Sequence, residues 1–378
     1  MKKCRVVIVL PGEAREVRLE GARTGRNPKE FFYGGLALQE MGHDVVFLNA
    51  RQLAGGLVGR FRQYCERKIN GLTQIGITRS QVELITPHLD GADMLIGFTD
   101  SISLSMGYYR HLLPQKLKVV GGFHGLADWR MRVRTPFRRV FDELVRSSIR
   151  RLDYAMTSGS ADRDVAVRQY SLSPSLLESY DFGVDQSFWC PANNSTAKDG
   201  GERFFLAIGS DPQRDYGVIA RAQLPAKVKV ITKLDEQGLQ QNPEVEFLRG
   251  SLAKSNFSDE NIRDLYRACR GVIVPIKNVW QPSGCSVTLQ AMSCGKPVIL
   301  TDYKGLFDRD LLRDGENCLL MPPDNPLALA QALNRLSNDD ALHARLSEGA
   351  LKTAQQYFGL RRLEGTVAAL VDRLGASG

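Results

Sequence analysis

The chain has 378 residues, enough for two ordinary domains with separate cores, and its 43% hydrophobic and 24% charged residues exclude a disordered or membrane-spanning class. Seven scattered cysteines without a Cys-x-x-Cys spacing argue against a disulfide framework or a zinc site and fit a reducing cytoplasm. The formal net charge of +8 asks for an anionic partner, and no stretch approaches the roughly 18 apolar residues of a membrane helix.

The first ten residues hold a short apolar run, but Glu13, Arg15 and Glu16 follow at once. That is too short and too soon charged for a signal peptide, and residues 5–10 read as a first buried strand. Residues 45–48, 94–98, 118–123 and 154–157 read as further strands with helical patterns between them, which predicts a parallel, doubly wound α/β sheet. Ligands on such sheets bind beyond the carboxyl ends of the strands.

A long polar loop is expected from Pro11 to Pro28. His43 reads as structural, at a helix end where its ring can meet free carbonyls. The basic, glycine-rich stretch 55–79, with Arg60, Arg62, Arg67, Lys68 and Arg79, reads as a solvated loop, the alternative being a mobile loop over a substrate. Asp100, just past the third strand, either caps the next helix or orients a substrate hydroxyl.

Between residues 130 and 151, Arg130, Arg132, Arg134, Arg138, Arg139, Arg146, Arg150 and Arg151 face only Asp142 and Glu143, with Trp129, Met131, Val133, Phe137, Val140, Phe141 and Leu144 interleaved. The pattern fits a basic amphipathic segment on anionic lipid headgroups, or else a solvated helix whose apolar side is core. Nucleic acid is not an expected partner, since none of its recognised motifs is present.

The composition breaks at 191–201, rich in Ala, Asn, Ser, Thr, Lys and Gly, which reads as a linker. Residues 204–208, 228–232, 245–248, 271–275, 298–301 and 318–321 then repeat the strand–helix alternation and predict a second parallel sheet. Before the fifth of these strands, Pro-Ser-Gly-Cys-Ser at 282–286 opens a helix at about 287–292, which Ser-Cys-Gly-Lys-Pro ends. Small residues at the mouth of a helix let the backbone approach a ligand, and first-turn N–H groups point at it, so a phosphate fits there; the alternative is an ordinary capped helix. The Asp-Arg-Asp triplets at Asp162 and Asp308 are attributed to chance and not to metal binding.

The run Leu-Gln-Ala-Met-Ser-Cys-Gly-Lys-Pro-Val-Ile at 289–299 resembles the LEAMACGxPVV signature of family 4 glycosyltransferases. Asp181-Phe182-Gly183-Val184-Asp185 with Phe188 and Pro191 is similar to that family's exit from its first domain, and residues 314–320 resemble its DGENGLL passage. The resemblance implies the GT-B fold, two Rossmann-like doubly wound parallel-sheet domains facing across a cleft. It places an acceptor-side domain at 1–190, a nucleotide-sugar domain at 202–354, and a last helix at 355–378 returning to the first.

It further implies a metal-independent hexosyltransferase without a cofactor, moving sugar from a nucleotide diphosphate to an acceptor hydroxyl with retention. By the same resemblance, Ser283, Gly284, Cys285, Ser286 and Arg214 would hold the diphosphate, and Gln290, in place of a family glutamate, the ribose. A second family glutamate falls on Pro282. Ser210 stands where the family has an arginine, a loss Lys233 could offset, and Lys277 would border the sugar and diphosphate. His124, after Gly121 and Gly122, would serve the acceptor side with Asp100 and Gly12. The acceptor expected is lipid-linked or a cell-surface polysaccharide, at the inner face of a membrane. The other readings are a catalytically silent nucleotide-sugar-binding module, motivated by the missing carboxylates, and a nucleotide-sugar epimerase.

Overall fold

Runs of apolar residues four to six long, bounded by turns, become strands covered on both faces. The computed structural model describes residues 3–10, 13–49, 56–192, 204–235, 238–250 and 257–376. These form two units: Met1–Glu20, Phe31–Asp181 and Leu363–Gly378 make the first, and Gly21–Glu30 with Phe182–Arg362 the second.

In the first unit, β1 (Arg5–Leu10), β2 (Asp44–Asn49), β3 (Met94–Gly97), β4 (Lys118–Phe123), β5 (Tyr154–Ser158) and β6 (Glu178–Tyr180) lie in the order β2-β1-β3-β4-β5-β6. All neighbours are parallel, with Val6 opposite both Val45 and Met94. Val7 and Val9 pack with Leu95 and Val119 on one face. Phe123, Phe141, Val145 and Tyr170 form a separate cluster under the later strands.

In the second unit, β7 (Phe204–Ile208), β8 (Lys227–Thr232), β9 (Val245–Arg249), β10 (Gly271–Val274), β11 (Val298–Thr301) and β12 (Leu319–Met321) take the order β12-β11-β10-β7-β8-β9, again parallel. Alternate residues go to opposite faces, Leu206, Val272 and Val298 to one core and Phe205, Ile273 and Ile299 to the other. Successive connections diverge at β1/β3 in the first sheet and at β7/β10 in the second. Such switch points leave a crevice beyond the carboxyl ends of the two strands.

Two expected loops are helices. Glu13–Arg23 occupies much of the stretch read as a polar loop, because alternating Glu and Arg are strong helix formers that show no apolar stripe. Leu57–Thr73 replaces the expected solvated loop; Leu57, Phe61, Tyr64 and Leu72 keep a helical spacing that the surrounding glycines obscure. His43 is buried as expected of a structural residue, but its Nδ1 accepts from the Cys4 amide at 3.2 Å and does not meet a carbonyl. Residues 193–201 of the expected linker lie outside the described residues.

Candidate functional site

At the switch point of the second sheet, the turn after β7 and the loop after β10 are stitched together. Arg214 and Ile276 form an antiparallel bridge, the Asp215 amide donates to the Pro275 carbonyl at 3.0 Å, and the Lys277 amide donates to the Gln213 carbonyl at 2.9 Å. These bonds hold the Arg214 backbone, and its side chain is buried at 3% exposure.

The guanidinium lies in a glycine-lined slot. A Cβ on Gly209, whose φ is +141°, would fall 2.6 Å from Arg214 Nε, and one on Gly284, φ +81°, would fall 3.2 Å from Nη1. Only glycine leaves this space and adopts these backbone angles without strain. Arg214 Nε and Nη1 nevertheless have no hydrogen-bond partner. An arginine stays charged at any physiological pH, and an unpaired buried charge costs several kcal/mol. An anionic oxygen beside Nε and Nη1 would supply the missing acceptor.

Gly284 is also the N-cap of helix Cys285–Ser293. The buried Ser283 Oγ before it is without a partner too, while the Tyr303 hydroxyl donates to the Ser283 carbonyl at 2.7 Å and fixes the turn. First-turn N–H groups and the helix dipole add positive potential at this end. Cys285 and Ser286 are half-buried in that first turn, Cys285 leaning on the core.

Of the other expected donor ligands, Lys277 is exposed and its Nζ donates to the Pro212 carbonyl at 3.0 Å, pinning the Arg214 loop. Lys233 is exposed, and its amide donates to Ser210 Oγ at 3.0 Å. Both ends of the buried Gln290 amide bond within the chain: Oε1 accepts from the Tyr266 hydroxyl at 3.2 Å, and Nε2 donates to Glu30 Oε1 at 3.0 Å. The amide expected to meet a ribose thus has two internal partners.

The sequence did not signal Glu30 as the partner of Gln290. Its carboxylate is fully buried in the second unit and accepts from Gln290, from Trp189 Nε1 at 2.8 Å and from the Asp185 amide at 3.2 Å. Burial pushes the carboxyl up to about 7, against the pull of these hydrogen bonds.

The residues expected on the acceptor side belong to the first unit. Asp100 does not cap its helix: Thr99 is the N-cap, and Asp100 Oδ1 accepts from the His124 and Gly125 amides at 3.0 and 3.3 Å. His124 Nε2 lies 2.8 Å from the Phe98 carbonyl, which only accepts, so Nε2 carries the proton. Nδ1 then accepts from the Tyr180 hydroxyl at 3.3 Å, with Ser158 Oγ at 3.4 Å. Asp100, His124, Ser158 and Tyr180 all stand at carboxyl ends of strands. Tyr180 was missed because β6 is three residues long and mostly exposed, too short to show a period, and Ser158 because it is the last residue of β5, one past the expected strand 154–157. Gly12 lies outside the described residues.

Asp162, from one Asp-Arg-Asp triplet, is a buried structural group whose oxygens accept from Thr157 Oγ1 at 2.7 Å and the Ala127 amide at 3.0 Å. Among the described residues no group of three or more His, Cys, Asp or Glu is placed to hold a metal ion. In helix Arg138–Arg150 the apolar side is core, with Phe141, Val145 and Ile149 buried. Arg130 pairs bidentately with Asp142, Arg146 donates to the Tyr170 carbonyl and Arg151 to the Tyr108 carbonyl, so these three are engaged within the chain, while Arg132, Arg134 and Arg139 are exposed.

Residues 205–339 match the family described as glycosyl transferases group 1. A D-inositol 3-phosphate glycosyltransferase from Streptomyces bingchenggensis is 35% identical over 100 residues, 26% of this chain and 21% of that protein. The chain spans less than two thirds of the length of the curated relatives it matches. Sucrose-phosphate synthase from Thermosynechococcus elongatus superposes with a TM-score of 0.74 at 16% identity over 100% of both chains. Anabaena HepE, solved in complex with UDP-glucose, gives 0.68 at 16% identity over 98% of this chain and 100% of that one. The two six-stranded parallel sheets with flanking helices are thus those of the GT-B fold, and residues 205–339 are similar to the group 1 glycosyl transferases.

Proposed function

We propose that the chain is a glycosyltransferase that moves a sugar from a nucleotide diphosphate donor to an acceptor hydroxyl. The observation that carries this reading is the buried Arg214 guanidinium, with Nε and Nη1 unpartnered beside the glycine that opens helix Cys285–Ser293. In the reaction the anomeric C–O bond to phosphate breaks, the diphosphate leaves with the electron pair, and the acceptor oxygen bonds to the anomeric carbon as it loses its proton. Negative charge grows on the departing diphosphate. A guanidinium fork and helix amides already fixed around it stabilise that charge without reorganising.

HepE was solved with UDP-glucose, which supports uridine diphosphate sugars as the first donors to try. Retention of configuration follows the resemblance of residues 289–299 to the family 4 signature. A thermal-shift screen of nucleotide sugars tests the reading: a donor at about a hundred times its Kd stabilises a protein by about 2.7 kcal/mol. If no nucleoside diphosphate or its sugar raises the melting temperature, the reading fails. Binding without transfer to any acceptor would favour a silent module, and a changed sugar without an acceptor an epimerase.

In the same reading His124 orients the acceptor side, its ring locked by Phe98 and Tyr180. His124→Ala is expected to lower kcat about tenfold, the size of one ordinary hydrogen bond, with UDP affinity unchanged. An unchanged kcat in steady-state assays removes it from the site.

A further inference from the structure

Helix Leu57–Thr73 of the first unit has its polarity reversed. Its inward face is polar: Glu66 accepts from the Arg79 and Ser80 amides at 2.9 and 3.2 Å and from the Ser80 hydroxyl, and Arg62 pairs with Glu83. Asn70 Oδ1 accepts from the Gly76 amide at 2.7 Å. Its outward face carries Leu57 at 85% exposure, Phe61 at 69% and Leu72 at 60%, with Val58, Tyr64 and Ile69 also exposed. A surface helix ordinarily turns its apolar stripe to the core.

Charge says what covers it. Arg60, Arg67 and Lys68 are exposed on this helix, and its one carboxylate, Glu66, is spent on the inward face. The patch continues past the helix end, where Trp129 Nε1 donates to the Gln74 carbonyl at 3.1 Å and the Arg134 amide to the Thr73 carbonyl at 3.3 Å. There Met131 and Val140 are exposed beside Arg132, Arg134 and Arg139.

We propose that this face docks the protein on the surface of an anionic phospholipid bilayer. The aliphatic and aromatic side chains enter the boundary between headgroups and acyl chains, and the surrounding arginines and Lys68 meet lipid phosphates. No helix among the described residues is long and apolar enough to cross a membrane, so this face attaches the protein without a span. A second copy of the chain is the weaker occupant, since self-complementary pairing brings the same cations face to face. The assignment stands apart from the proposed reaction and uses none of its residues.

Vesicle cosedimentation tests it, with phosphatidylglycerol mixed into phosphatidylcholine in one arm and phosphatidylcholine alone in the other. The parent is expected to bind the anionic vesicles and to be released by salt. A Phe61→Ser/Leu72→Ser pair and, separately, an Arg67→Glu/Lys68→Glu pair are each expected to lower partitioning about tenfold while melting with the parent. The charge-reversed pair keeps every apolar side chain, so it reports on docking even if the serine pair loosens the helix. The proposal is overturned if the parent binds no anionic vesicle, or if both pairs bind as well as the parent. It is also overturned if the parent sediments as a dimer that the serine pair dissociates, with no vesicle binding.

Discussion

Replacing Arg214 by methionine is expected to stabilise the ligand-free protein and, in the same variant, to remove the stabilisation a nucleoside diphosphate gives the parent. The two halves of this result have one origin. Arg214 is a cation buried at 3% exposure with Nε and Nη1 unsatisfied. Apolar side chains of similar volume in place of buried ions often raise stability, by about 1–4 kcal/mol. Methionine fits the slot between Gly209 and Gly284 without adding branches against either backbone. In the proposed complex with a nucleoside diphosphate the guanidinium would gain its partner, and losing a fixed donor at a developing anion costs about 3 kcal/mol, or roughly two orders of magnitude in affinity or rate. Melting curves of parent and variant with and without UDP decide the matter. A variant that melts lower than the parent and is still shifted by UDP would show that the arginine serves the fold and not a ligand.

The second large effect lies at Glu30. Burial disfavours the anion and pushes the folded carboxyl up to about 7 from its ordinary 4.5. The folded state therefore holds a proton that the unfolded state has released across this window, and stability falls as pH rises. The contribution is fully present below about pH 4.5 and is lost as pH passes through about 7, a change of about 3 kcal/mol. Glu30→Gln keeps a carbonyl oxygen for Trp189 Nε1 and cannot ionise, so its share of the pH dependence should vanish. Asp162 in the first unit, pushed up to about 7 by burial, has the same sign and remains in the variant. Urea midpoints from pH 4.5 to 8 give the comparison: the two proteins should diverge toward alkaline pH, the variant being the more stable. Parallel curves would mean that Glu30 is not the titrating group.

What the sequence made legible follows from how local the cause was. β1, β4, β7 and β11 begin and end at the expected residues because a buried parallel strand is a continuous apolar run with turns at both ends. Arg214 was placed by the family resemblance, and the structure buries its guanidinium beside Gly209 and Gly284. The Glu30–Gln290 bond was not legible: its partners are 260 residues apart, and nothing around either one signals the other. Of the two readings of Asp100 the helix cap fails by one position, since Thr99 is the N-cap and the carboxylate accepts from the His124 amide. Helix Leu57–Thr73 hid because its apolar residues keep a helical period but face water, so the glycines and cations around them read as a loop.

Gly21–Glu30 carries a consequence for how the protein can be taken apart. These ten residues are synthesised early yet belong to a body whose remainder begins at Phe182. A fragment covering the second sheet alone would leave the Trp189 indole and the Gln290 amide without the acceptor they share, and Asp259 without Asn27. Proteolysis at the compositional break would likewise yield two pieces still needing each other's chain. During translation the strap has to wait for nearly the whole polypeptide to emerge, so assembly of the later body belongs among the slow, long-range closures of folding.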